Sequence, residues 1–449
     1  MHITISTEQM RIKEIQIDNF ACFKHFEAKF TPGVNVVIGR NGTGKTSLIK
    51  GLVYTLNFIF TNDKSMGDNY LSSGNPDLKM SSVRFEEFYR DKEAAEVVAF
   101  ANFHGTMEWE GKNFEWDMFK KSLTGSSLNP AKYVEAYRQF MSIARDSGNY
   151  PLLAFFSDSF PHKQNNISSF AKNEINNTEG ILRNFGYYQW DNETSCTMIW
   201  QLRLVNVLAK DLSLGETESS VHREVSFVTD RLKKFSQIIN EDSDDSYEIE
   251  KVFFSFKDGE KPELWLKLKS GTEIRFNSLP AGYLRLYSIV LDLAYRSYLL
   301  NRNTTGKVAG VVLIDEIDLH LHPSLELEVV ERFTHTFPDV QFIMTTHSPL
   351  VITNLSQVGN GNQILRLVSG EEKPHELPDV FGIDYNTGLD VMGVNATNQE
   401  VEFLKNLIVR CHRRGDKVLL EKKKEELKNI LSDSRYDSVM EEISRMIKN

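Results

Sequence analysis

Two short stretches carry the residue types that phosphate chemistry requires. Gly39-Arg40-Asn41-Gly42-Thr43-Gly44-Lys45-Thr46 has the spacing G-x-x-x-x-G-K-[ST]. In such a loop, glycines let the backbone curl so that successive N–H groups point at phosphate oxygens, and the following helix adds its positive end. Lys45 would reach the β- and γ-phosphates of a nucleotide, and Thr46 would offer its hydroxyl to Mg²⁺. Gly39, Asn41, Gly42, Thr43, Gly44 and Ser47 would complete the cradle. The second stretch, VVLIDEIDLHLHP at 311–323, ends an apolar run on two adjacent carboxylates, Asp315 and Glu316. A phosphate-bound Mg²⁺ needs a second anchor, and Asp315 at a strand end supplies one. Glu316 points differently and is placed to orient and polarise an attacking water. The competing bland readings are a Gly-rich turn and an acidic strand end facing solvent.

The surrounding sequence supplies elements that could hold both stretches. Residues 11–38 read as strands, closing on the apolar run VNVVI just before the glycine loop. After the loop, Leu48, Ile49, Leu52, Val53 and Leu56 recur at helical spacing. Residues 60–90 are polar and irregular, 96–118 read as hairpins, and YPLLAFF (150–156) as a buried strand. Two helices are expected over 198–239 on either side of SLGETESS, and a three-strand meander over 251–276. Then follow a helix at 281–300, a strand at 309–314, a helix at about 324–337, a strand at 341–346 and a helical region from about 398. Met10 is an alternative start, since MRIKEIQIDNF opens the first convincing strand.

The totals set limits. The chain has 449 residues, 41% hydrophobic and 25% charged, which is ordinary globular composition. Its net charge of −10 excludes a molecule that attracts nucleic acid over its whole surface. The three cysteines, Cys22, Cys196 and Cys411, are dispersed, which argues against a disulfide framework or a zinc site and fits a reducing cytoplasm. No apolar run is long enough for a membrane span, and EDSDDSYE (241–248) reads as an acidic connector. The tail beyond 376 is shorter than a typical domain of ~100 residues and has no D-x-D pattern, so no nuclease domain is expected there. Its stretch LIVRCHRRGDKVLLEKKKEELK reads first as a solvated helix face, and alternatively as a docking or DNA- or RNA-contacting edge.

The wide gap between Lys45 and Asp315 suggests a large insertion between the halves of one nucleotide-binding head. In this layout the chain resembles the ABC-type ATPases of the SMC and RecF kind. Over nearly its whole length it resembles the AAA_21 group of bacterial ATP-binding proteins, which includes the ATPase subunit of Septu-type and retron-associated anti-phage systems. NFACF, the glycine loop, PLLAFF, GYYQW, LPAGY, LIDEIDLHLHP, TTHSPLVI and FGIDYNTGLDVMGV carry that likeness. It implies an α/β fold: an ABC-type head with a phosphate-loop mixed sheet, an antiparallel β subdomain, an inserted helical lobe and C-terminal helices. The halves of the head would be 1–160 and 251–375, the inserted lobe 161–250 and the helical region 376–449. It implies that His347 is the switch histidine at the γ-phosphate. It also implies that Ala281 and Gly282 form a signature element facing ATP on a second copy, so that two heads clamp ATP and Mg²⁺ as a homodimer. Asp318 would fall in the segment that meets that copy. The family role expected is ATP hydrolysis, at a slow rate, that controls a separate effector, expected to be a nuclease. The alternatives are a RecF- or SMC-like DNA-maintenance ATPase and a nucleotide-sensing module with little hydrolysis.

The departures concern turnover. Pro280 stands where the signature has serine, and Ser278 is a candidate substitute. Ala21 replaces an arginine frequent after the first Phe. Lys163 is the nearest cation to where the group carries an arginine near 160, and Gln164 and Gln189 are weak candidates for the Q-loop glutamine. His320 and His322 form an H-x-H pair, which reads as part of the DLHLHP loop of this group rather than as a metal site.

Overall fold

The computed structural model describes residues 10–67, 69–90, 100–123, 128–158, 167–178, 180–191, 197–237, 247–256, 261–301, 309–359, 361–393, 399–431 and 433–448. The chain divides into two compact units, Met1–Ile383 and Asp384–Asn449. In the first, β1 (Arg11–Phe20), β2 (Phe23–Lys29), β4 (Asn102–Trp109) and β5 (Lys112–Asp117) form an antiparallel sheet in the order β2-β1-β4-β5. Burial alternates strictly along β4, as expected of a sheet with one face on the core.

The second sheet has the order β13-β12-β3-β11-β10-β6, formed by β3 (Val34–Ile38), β6 (Leu152–Phe156), β10 (Gly310–Ile314), β11 (Val340–Thr345), β12 (Gln363–Arg366) and β13 (His375–Glu376). All its pairs are parallel except β12–β13. Every residue of β3, β6, β10 and β11 is buried, which is why these strands read as unbroken apolar runs. This mixed sheet brings the ends of β3, β10 and β11 side by side, and so positions both motif stretches. The α/β architecture expected from the sequence is present.

Helices cover the sheets. α1 (Lys45–Leu56) buries the apolar positions of its sequence pattern, and Trp116 donates its indole N–H to the Thr55 carbonyl at 2.8 Å. α2 (Val134–Ser147) buries Tyr137, Phe140, Met141 and Ala144 at helical spacing and stops at Gly148, φ 69°; the sequence reading assigned no element there. α3 (Ser169–Asn176), α4 (Thr197–Leu214) and α5 (Ser220–Ser236) lie within 161–250 and belong to the first unit. Buried Arg203 ties them, pairing with Glu224 of α5 and donating to the carbonyl groups at the end of α3. A meander of β7 (Ile249–Ser255), β8 (Glu263–Leu268) and β9 (Glu273–Arg275) leads into α6 (Ala281–Leu300), which is buried along most of its length. Asp292 there accepts from Trp200 at 2.7 Å. α7 (Pro323–Thr336) and α8 (Pro349–Thr353) follow β10 and β11.

The second unit contains α9 (Tyr385–Val391), α10 (Gln399–Arg414), α11 (Lys417–Ile430) and α12 (Asp433–Lys448). Leu404, Ile408, Leu427, Val439 and Ile443 form a core across α10, α11 and α12. β13 extends to Glu376, so the head sheet continues just past the boundary expected at 375. Among the described residues no helix is long and apolar enough to cross a membrane.

Buried amides join the two large sheets, that of Gln341 among them. Gln341 on β11 accepts from the Ile12 N–H at 2.8 Å and donates to the Ile12 and Thr31 carbonyls at 2.9 and 2.7 Å. It fills the gap where the β1–β4 register shifts between Ile12 and Glu14. Gln341→Leu would strand these backbone groups, each costing ~1–3 kcal/mol when buried and unpaired. The expected loss is about 3 kcal/mol or more, read as a lower urea midpoint with an unchanged slope.

Candidate active site

The glycine loop connects β3 to α1. Gly44 is left-handed at φ 102°, and a Cβ there would lie 2.5 Å from the Phe23 ring and 2.7 Å from Cys22 Sγ. The β1–β2 turn therefore packs on the loop because residue 44 is glycine. Thr43 fastens the loop by donating its hydroxyl to the Arg40 carbonyl at 2.9 Å. Asn41 and Gly42 are exposed at the tip, Gly39 is buried at the base, and Thr46 is exposed on the first turn of α1. Ser47 hydrogen-bonds the Cys22 side chain.

The Lys45 ammonium folds back over this loop and donates to the Gly39 carbonyl at 2.9 Å and the Arg40 carbonyl at 3.4 Å. Its burial lowers its pKa, and the charges of Asp315, Glu316 and Asp318 oppose that shift. Residues far apart in sequence thus act on one another electrostatically, while the direct partners of the ammonium are carbonyls of its own loop.

Asp315 is 1% exposed at the end of β10. Its Oδ1 accepts from the Thr345 hydroxyl at 2.5 Å, and that hydroxyl accepts from the Glu316 N–H at 2.8 Å. Thr345 thereby fixes a carboxylate and the next peptide with one group. Glu316 is left-handed, φ 51°, a costly conformation for a residue with a Cβ. Its carboxylate lies 4.0 Å from His347 Nε2, with both side chains about one-third exposed, whereas that of Asp315 is buried against Thr345. Burial first, and then the Asp315 charge, raise the Glu316 pKa, while His347 counteracts them. Asp318 accepts from the Thr346 hydroxyl at 2.6 Å and the His347 N–H at 3.1 Å, so it orients the histidine turn within its own chain.

Ala281 is exposed at the N-terminus of α6 and Gly282 is buried. Pro280 is the N-cap and supplies no side-chain bond. A Cβ on Gly282 would stand 2.7 Å from the His320 carbonyl oxygen, so the glycine is required locally by the segment that follows the carboxylates. Ser278 ends a 3₁₀ turn ahead of the helix. Ala21 is left-handed and donates its N–H to the Glu87 carbonyl at 2.7 Å. Gln189 lines a polar cavity of about 440 Å³ beside α1, with Lys50, Tyr54 and Asp191; the phosphate loop is not among its described walls. Lys163, Gln164 and Cys196 lie outside the described residues.

His322 caps α7 by accepting from the Ser324 N–H, and His320 is exposed. Among the described residues, no group of three or more His, Cys, Asp or Glu could hold a metal ion by itself. A buried carboxylate with an exposed threonine hydroxyl, near a phosphate cradle, instead suits Mg²⁺, which takes one or two carboxylates and completes its shell with phosphates and water.

A family model described as AAA_15, AAA ATPase domain, matches residues 10–352. The chain belongs to this ATPase family. The label differs from AAA_21 but denotes a family of the same kind. The ATPase is 24% identical over 388 residues to the "Retron Vc95 probable ATPase" of Vibrio cholerae, covering 78% of this chain and 73% of that protein. It is 23% identical to the "Septu protein PtuA" of Bacillus thuringiensis, covering 88% and 89%. Against the Septu protein PtuA of Bacillus mycoides, 23% identity covers 96% of this chain and 52% of the relative. Among solved structures, a RecF structure matches 83% of this chain and 100% of its own, with 15% identity and TM-score 0.42. An Smc head bound to the C-winged helix domain of ScpA matches 82% and 97%, with 14% identity and TM-score 0.39.

The ATPase also uses residues that motif reading passed over. Thr345 was visible only as the first threonine of TTHSP, and Arg285 only as a cation within an apolar helix. Thr345→Val keeps the shape but leaves Asp315 without its donor and the Glu316 N–H without its acceptor. A stability loss of ~1–3 kcal/mol is expected, measured by chemical denaturation.

Proposed function

We propose that this chain hydrolyses ATP with Mg²⁺ and that nucleotide-driven pairing of two heads controls a separate effector. The observation that carries the reading is that parallel strands of one sheet bring the glycine loop with Lys45 and the Asp315–Glu316 pair to one edge, with Glu316 4.0 Å from His347. Gly39, Asn41, Gly42, Thr43, Gly44 and Ser47 would cradle the phosphates, and Lys45 would leave its loop carbonyls for the β- and γ-phosphates. Thr46 and Asp315 would hold Mg²⁺, which neutralises charge on the phosphates when bound. Glu316 would accept a proton from the attacking water, and His347 would contact the γ-phosphate.

Ala281 and Gly282 would face the nucleotide of a second copy, making the pair two-fold. Similarity to a retron ATPase and to Septu proteins supports a setting in anti-phage defence. The effector proposed is a nuclease. A second reading, a nucleotide sensor with little turnover, draws on Pro280, which brings no hydroxyl to the signature.

Lys45→Ala is expected to abolish ATP binding by calorimetry. Glu316→Gln is expected to retain ATP and double its mass in solution when ATP and Mg²⁺ are present. A mass indifferent to ATP, with turnover unchanged by Glu316→Gln, would favour the sensor. Because the Glu316 pKa is raised, its base form is lost as pH falls through a value above the ordinary ~4.3 of glutamate. The acid limb of kcat should therefore lie above that value, as a pH–rate profile will report.

A further inference from the structure

The helix that begins at Ala281 also meets the carboxylate pair from behind. Arg285, one turn into α6, is 0% exposed. Its Nη2 donates to the Asp315 carbonyl at 2.8 Å and the Glu316 carbonyl at 3.0 Å. Its Nη1 donates to the carbonyls of Asp158 at 3.2 Å and Ser157 at 3.4 Å. These four carbonyls lie just where the β6–β10 ladder stops. Its last bond runs from the Asp315 N–H to the Phe156 carbonyl at 2.8 Å. The planar fork of arginine spans both chain ends and continues the pairing that the strands no longer make.

Burying a guanidinium is costly. Desolvation lowers its pKa to about 10, while Asp318, Glu316, Asp315 and Asp158 favour its charge, so it remains a cation at neutral pH. Packing alone does not require it, since Leu286, Ile289 and Leu293 of the same helix are apolar and fully or nearly fully buried. What the cation adds is a grip on the two peptides that flank the strained φ of Glu316. The same helix end touches the His320 carbonyl through Gly282.

We infer that Arg285 is a positioning residue: it holds the left-handed turn that aims Glu316, and it ties the signature end of α6 to the carboxylate pair of its own head. Movement of Ala281 and Gly282 on meeting a second copy's nucleotide would reach Glu316 through this link. The inference rests on the proposed role of Glu316 in hydrolysis.

The test uses the full chain as wild type, Arg285→Gln, Arg285→Lys, Glu316→Gln and the Arg285→Gln/Glu316→Gln double variant, with folding checked by circular dichroism. A fluorescent ATP analogue reads affinity and single-turnover assays read hydrolysis. Arg285→Gln should bind nucleotide within about threefold of wild type and hydrolyse ~100-fold more slowly, the scale of a small misplacement of a reacting group. Arg285→Lys, which retains the charge and part of the bonding, should lose ~10-fold. In the Glu316→Gln background, Arg285→Gln should add less than about twofold, because both changes act through one group. A folded Arg285→Gln with wild-type turnover would overturn the inference, as would a loss confined to affinity or one that multiplies with Glu316→Gln. If Arg285→Gln does not fold, the Lys variant and its double with Glu316→Gln decide by the same criteria. Slow Glu316→Gln with unimpaired Arg285 variants rejects the positioning role alone; unimpaired Glu316→Gln rejects the hydrolytic reading with it.

Discussion

The site depends on holding adjacent carboxylates, Asp315 and Glu316, at the end of a fully buried strand while they point in different directions. Like charges so close repel, and a buried carboxylate is expensive unless it is bonded. The fold meets the constraint from three sides. Thr345 donates to Asp315 and accepts from the Glu316 N–H, Arg285 takes both following carbonyls, and Lys45 brings a positive charge from across the sheet. The left-handed Glu316 is sustained by bonds on both sides: its N–H donates to Thr345, the Asp315 and Glu316 carbonyls accept from Arg285, and the Ile317 N–H donates to the Thr345 carbonyl.

This arrangement explains the sheet order. β10 must be flanked by β11, which carries Thr345 and then His347, and by β6, whose end shares Arg285 with it. β3 pairs with β11 on the other side and delivers the glycine loop to the same edge. Gln341 then locks the antiparallel sheet to β11, so the hairpin turn that packs on Gly44 is registered against the strand that leads to His347. Packing of the two sheets and geometry of the site are thus one problem.

Much of this was legible in sequence because it is local. The phosphate loop, the paired acids and the apolar runs each carry their own pattern, and β3, β6, β10, β11 and α6 were read from it. The meander and the helices α4 and α5 were legible for the same reason. α2 was missed although its apolar spacing is helical, and β12 is a four-residue strand, QILR, too short to announce itself. Thr345, Gln341 and Arg285 were missed for a different reason. Their roles lie in backbone groups brought near by tertiary structure, and a side chain that serves a distant carbonyl leaves no spacing to read. Gly282 was noticed for a contact with a second copy, yet its nearest constraint is the His320 carbonyl within its own chain.

The most direct measurement is an experimental structure of the Glu316→Gln variant with ATP and Mg²⁺. The account predicts the triphosphate in the 39–46 loop with Lys45 turned onto it, Mg²⁺ between Thr46 and Asp315, His347 at the γ-phosphate and the 281–282 helix end of a second copy opposite. Nucleotide bound elsewhere, or a metal that leaves Asp315 uncoordinated, would contradict it.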